Sequence, residues 1–143
     1  MTIVVAAVIE RGGRVLICQR SPEKAFPLKW EFPGGKVEAG EDPVRALERE
    51  LREELAIQAR IGGEIVRYEY CYPGRNPILL VFYRVGEFDV EPRNLIFQEI
   101  RWESPDKLPE YDFLEGDAEF VRRLAGDATA AGPERRGPCS TAR

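Results

Sequence analysis

Residues 34–57, GGKVEAGEDPVRALERELREELAI, constrain this chain more than any other segment. A glycine pair runs into a helix. Asp42 stands where its side chain caps the helix, and Pro43 takes the first helical position, where a missing N–H costs nothing. Glu41 and Asp42 complement the positive end of the helix dipole. Val44, Leu47, Leu51 and Leu55 recur at helical spacing and form one apolar face. Glu50, Glu53 and Glu54 fall within an arc of roughly 100°, centred about 110° from the leucines. Carboxylates this close repel one another and call for a counter-charge. Two readings follow: a solvated, charge-laced face with pairs such as Glu48–Arg52, or a holder for a hard divalent cation, which prefers oxygen ligands. The glycines favour the second, because they let backbone approach a ligand closely.

The rest of the chain limits the chemistry available. With 143 residues, 43% of them hydrophobic and 32% charged, it has the size and composition of one soluble domain. A net charge of −4 argues against nucleic acid or an anionic membrane as partner, and no apolar run is long enough to span a bilayer. MTIVVAAVIE lacks a basic leader and reads as a first strand, so a cytoplasmic location is expected. Cys18, Cys71 and Cys139 are odd in number and far apart, without a CxxC; they are expected as reduced thiols, not as a zinc site or disulfide scaffold. There is no histidine. Ser-His-Asp and Cys-His catalysis and histidine-ligated metals are excluded, leaving carboxylates as the acid–base groups near neutral pH.

Along the chain, 2–9 and 14–20 read as strands around a turn at 11–14. Residues 21–28 are a loop that leads through Trp30-Glu31-Phe32-Pro33 to the glycines. Residues 64–72 alternate, 78–85 are almost wholly apolar, and the Pro/Gly-rich 72–77 joins them as a hairpin. A strand at 98–103, a turn at 104–107 and a second helix over 113–125 follow, Asp112 to Glu115 having the spacing of a capping box. Strands, helix, strands, helix predict an α+β domain over 1–125. The small, polar, Pro/Gly-rich 126–143 reads as a disordered tail.

Gly35, Glu41, Arg49, Glu50, Leu51, Glu53, Glu54 and Ile57 have the spacing of the Nudix box, so the chain resembles the Nudix hydrolase family over 2–125. Ala56 departs from the pattern, standing where the family usually has glycine. The resemblance implies the Nudix fold, an α/β/α sandwich with a mixed β-sheet between helices. It implies cleavage of a nucleoside diphosphate linked to another group, with Mg²⁺ or Mn²⁺ held by Glu50, Glu53, Glu54 and the Gly34 carbonyl. Glu53 is the first choice for the catalytic base and Glu50 the second. Gly35, Glu41 and Arg49 are expected to shape the loop. Some relatives carry a further acid six residues before a tryptophan; counted back from Trp102 that position is Ile96, and Glu99 either substitutes or is simply exposed.

Trp30 to Glu38 looks like the MutT-like branch, which converts nucleoside triphosphates to monophosphate and pyrophosphate. By that likeness Arg20, Glu31, Phe32, Pro33, Gly34 and Lys36 contact substrate. Arg20 and Lys36 also read as ordinary surface charges. Asp112 either reads the nucleobase edge or caps the last helix, and Trp30, Tyr111 and Phe113 either stack on a base or belong to the core. The expected substrate is a (deoxy)nucleoside triphosphate, oxidised as in 8-oxo-dGTP or a pyrimidine such as (d)CTP. Dinucleoside polyphosphates or nucleotide sugars are the alternative, and a non-catalytic nucleotide-binding regulator is the third reading. Monomer and homodimer are equally open.

Overall fold

The computed structural model describes residues 1–126. The expectation for the tail, beyond Gly126, and for Cys139 lies outside the described residues. The elements run β1 (Thr2–Arg11), β2 (Arg14–Gln19), β3 (Trp30–Glu31), β4 (Gly34–Lys36), α1 (Pro43–Leu55), β5 (Ala59–Arg60), β6 (Glu64–Tyr70), β7 (Ile78–Val85), β8 (Glu87–Phe88), β9 (Glu99–Glu103), a 3₁₀ turn (Pro105–Glu110) and α2 (Glu115–Leu124).

β1 and β7 pair in parallel from Thr2↔Ile78 to Ile9↔Val85. Both are apolar almost throughout because both of their faces are covered. Ala6, Val8, Leu80 and Phe82 join Phe120 and Val121 of α2 in one core. Val5, Ala7, Ile9, Val81 and Val85 join Leu47, Leu51 and Leu55 of α1 in the other. The helix–sheet–helix sandwich and the mixed sheet match the sequence expectation, with strand order β3-β2-β1-β7-β6.

The second edge of β1 is divided, and the division makes the site. β4 pairs with Val4–Ala6, whereas β2 pairs only with Glu10 and Arg11. The Ala7 N–H donates to the Pro33 carbonyl at 2.8 Å and the Val37 N–H to the Ile3 carbonyl at 2.9 Å, so the glycine segment is pinned along β1. At the start of α1, Asp42 Oδ2 accepts from the Val44 and Arg45 N–H groups at 3.0 and 3.2 Å. Ala56 ends the helix in the left-handed region at φ 58°, the conformation that favours the missing glycine.

Several expectations need correction. The second helix begins at Glu115, not 113, and Asp112 does not cap it; the cap position is Leu114, which offers no side-chain bond. The reason is tertiary. The Trp30 N–H donates to the Asp112 carbonyl at 2.9 Å and the Leu114 N–H to the Trp30 carbonyl at 3.0 Å, so this segment extends the sheet before the helix can start. The expected turn at 104–107 is a 3₁₀ turn with Pro105 in its first position. Tyr72 lies beyond the end of β6. β3, β5 and β8 are two residues each, too short to show a period. Cys18 is a buried free thiol.

Candidate functional site

A cleft of about 770 Å³ lies over the first half of β1 and β4, with Arg20 just past β2 at its side and Glu50 and Glu54 of α1 against the glycine segment. Glu54 is a buried carboxyl, and the Gly34 N–H donates to its Oε1 at 3.2 Å. A Cβ on Gly35 would lie 2.4 Å from Glu50 Oε2, so only glycine leaves this carboxylate its place. Burial pushes the Glu54 carboxyl well up, and the hydrogen bond and negative charge of Glu50 add to it, as does Glu31. Two oxygen donors that cannot both ionise without compensation suit a divalent cation.

Glu53 is not brought to this pair. Its side chain is 59% exposed, lies 3.4 Å from Arg49 Nη1 and does not line the cleft. Among the described residues no cluster of three acidic ligands is assembled. Of the ligand set expected from sequence, Glu50 and Glu54 line the cleft beside Gly34, whose N–H, not the expected carbonyl, faces Glu54. Arg49 and Glu41 hold the loop to the helix: Nε and Nη2 donate to the two Glu41 oxygens at 2.9 and 3.0 Å, and Nη1 donates to Glu50 Oε2 at 3.2 Å. The Arg49 bonds, with the Glu38 N–H, lower the Glu41 carboxyl to about 2.

Arg20, Glu31, Phe32, Gly34 and Lys36 all line the cleft, joined by Lys24, which the sequence reading did not single out. Arg20 Nη1 lies 3.0 Å from Glu31 Oε1 and its Nε donates to the Ala25 carbonyl at 2.7 Å. Pro33 does not line the cleft. Ile96 reaches the cleft where some relatives carry an acid. Its loop is fixed by the Leu95 N–H on the Glu54 carbonyl at 3.1 Å and by Asn94, which brackets Phe97. Glu99 does not substitute; it pairs with Arg101 outside the cleft.

Asp112 fits neither of its expected roles. Its side chain is 74% exposed, bonded to Lys29 Nζ at 2.8 Å and away from the cleft. The acid that α2 sends into the cleft is Asp117, only 5% exposed. Burial, then the charge of Glu31, pushes it up to about 8, against a Phe32 backbone hydrogen bond and Arg20. The signal was present in the sequence: positions 117, 120, 121 and 124 share one helical face, and the acid stands among apolar residues there. Trp30 and Phe113 are core, and neither they nor Tyr111 line the cleft. The aromatic wall is instead Phe26 and Tyr72, ring centroids 4.8 Å apart.

Comparison with known proteins gives a match to the NUDIX domain over residues 1–124. The chain is 38% identical over 117 residues to the CTP pyrophosphohydrolase of Escherichia coli (strain K12), covering 82% of this chain and 86% of the relative. It is also 38% identical over 127 residues to the 8-oxo-dGTP diphosphatase of Haemophilus influenzae, covering 87% and 93%. Among solved structures, the Escherichia coli ORF135 protein superposes with a TM-score of 0.78 at 36% identity, covering 94% of this chain and 95% of that one.

Proposed function

The chain belongs to the Nudix family, and from that premise we propose that it hydrolyses a (deoxy)nucleoside triphosphate to the monophosphate and pyrophosphate, using Mg²⁺ or Mn²⁺. The observation that carries the reading is the Glu50–Glu54 pair, packed under the glycine segment at one side of a cleft that also holds Arg20, Lys24 and Lys36. Relatives named for CTP and for 8-oxo-dGTP are equally similar in identity, so likeness does not choose the base.

Glu50 and Glu54 are the carboxylates that would hold the cation, with Glu53 one turn away on the exposed side of α1. When bound, a divalent ion neutralises diphosphate charge and makes a water more acidic. The protein's own contributions are separable. Arg20, Lys24 and Lys36 attract the phosphates. Glu50 accepts the proton of the attacking water because it lines the cleft: Arg49 touches both Glu50 and Glu53, but Glu53, first choice from sequence, lies outside the cleft, Glu99 is tied to Arg101 there too, and Ile96 bears no acid. Glu31 and Asp117 face the nucleobase, where a carboxyl keeping its proton donates and an ionised one accepts. The nucleotide pool of the cytoplasm is the reservoir this activity implies.

A nucleotide panel with Mg²⁺, read by product identity, tests the proposal. Monophosphate plus pyrophosphate from CTP, dCTP or 8-oxo-dGTP is the expected result. No turnover of any nucleoside triphosphate, or cleavage confined to nucleotide sugars or dinucleotides, overturns it.

A further inference from the structure

The N-terminus of α2 lacks a side-chain cap from its own segment, yet one of its first N–H groups is satisfied from across the fold. The Gly116 N–H donates to the Tyr72 hydroxyl at 2.9 Å. The Tyr68 hydroxyl donates to the carbonyl of the same glycine at 2.6 Å. Both ends of one residue are thus gripped by two tyrosines from one side, and the next residue is Asp117. A Cβ at 116 would stand 2.6 Å from the Tyr72 oxygen and 3.3 Å from Leu80 Cδ1, so any side chain there displaces the hydroxyl. The Tyr72 ring is itself held, 4.8 Å from Phe26 and 4.9 Å from Tyr70. Tyr68 and Tyr70 alternate within β6, which sends both rings to one side of the sheet, and Tyr72, just past its end, packs its ring on that of Tyr70.

We propose that Tyr72 is a positioning residue for nucleobase selection: its hydroxyl, through the close-packed Gly116, sets where Asp117 stands in the cleft. The inference rests on the reading of Asp117 as a nucleobase contact. Burial keeps the Tyr72 phenol protonated at neutral pH, so the contact to Gly116 does not change with ordinary pH. A helix whose N-terminus is capped by a distant segment carries its first-turn side chains wherever that segment puts them. The Phe26 loop, the Tyr72 ring and Asp117 then move as one wall.

The test is full-length protein bearing Tyr72→Phe, which removes the hydroxyl and keeps both ring contacts, and Gly116→Ala, whose methyl displaces the same hydroxyl. Each is assayed with Mg²⁺ against dCTP, dGTP, dATP, dTTP and 8-oxo-dGTP. The ratio of kcat/KM between best and worst nucleotide should shrink about tenfold, the loss of one well-placed hydrogen bond, chiefly through KM of the best. The double variant should lose no more than either single one, because both changes break one contact. A purely structural role would lower melting temperature and leave the nucleotide ranking alone. If Tyr72→Phe leaves ranking and KM intact while Asp117→Asn changes them, the positioning role is overturned and the nucleobase contact stands. If Asp117→Asn leaves the ranking intact, the contact and the positioning role fall together. Failure of the wild-type protein to hydrolyse any nucleotide removes the proposed function itself. Should Gly116→Ala not fold, Tyr72→Phe decides alone.

Discussion

Asp117 carries its own signature in stability. Its folded carboxyl titrates near 8, against an ordinary value of 3.8. Between those values the folded state keeps a proton that the unfolded state has released, so stability falls as pH rises from about 4 to about 8. Asp117→Asn removes this dependence and should raise stability by a few kcal/mol at pH 8.5, on the order of the shift itself, with almost no gain at pH 4. Urea unfolding at the two pH values measures it, and an equal change at both would show that the charge is not the cause. Glu50 makes a different claim. Glu50→Gln should lower kcat roughly 10²–10⁴-fold, whereas Glu53→Gln should cost no more than about tenfold, since it loses only an exposed contact with Arg49. Steady-state kinetics on the preferred nucleotide decides, and the reverse order would return the base role to Glu53.

The two helices show why one was legible in the sequence and the other was not. In α1 every local signal agrees: Asp42 caps, Pro43 opens, the leucines face the core, and the acids stand where spacing puts them. What spacing left open was which acids share the cleft, because Glu53 and Glu54 are neighbours in sequence and only packing buries one and exposes the other. For α2 the local signal misled. Asp112 to Glu115 has a capping pattern, but the backbone of 112 and 114 is used by Trp30, and the helix N-terminus is closed by a tyrosine forty-four positions away. No window of local sequence contains that contact. The one local misfit in α1 is testable as well. Ala56 sits at φ 58°, a conformation that costs a residue with a Cβ roughly 1–2 kcal/mol, partly offset by glycine's greater freedom when unfolded. Ala56→Gly should therefore raise the unfolding free energy by up to about 1 kcal/mol, read as a higher urea midpoint. A loss of stability would mean that the left-handed turn is not kept in solution.

At the scale of the molecule, the apolar sheet that joins the two cores also holds charges that strain against each other. Glu54 is buried beneath the glycine segment, beside Glu50 and in the field of Glu31, while α1, β1 and β4 fix its place. The arrangement is unfavourable for an ionised carboxylate and favourable for a cation, so a metal held there as proposed would couple its binding to folding. At a free Mg²⁺ concentration about 100-fold above its Kd, linkage stabilises the folded state by about 2.7 kcal/mol, which for a domain of this size corresponds to roughly 5–10 °C in Tm. EDTA should take that increment away. Glu54→Gln separates this from general salt effects: it removes the buried acid, so the metal-free Tm should rise at neutral pH while the response to Mg²⁺ shrinks to a small fraction. Thermal scans of both proteins, with and without EDTA at constant ionic strength, measure the difference. Equal Mg²⁺ shifts in the two would place the cation somewhere other than the Glu50–Glu54 pair, and the chemistry assigned to this cleft would have to move with it.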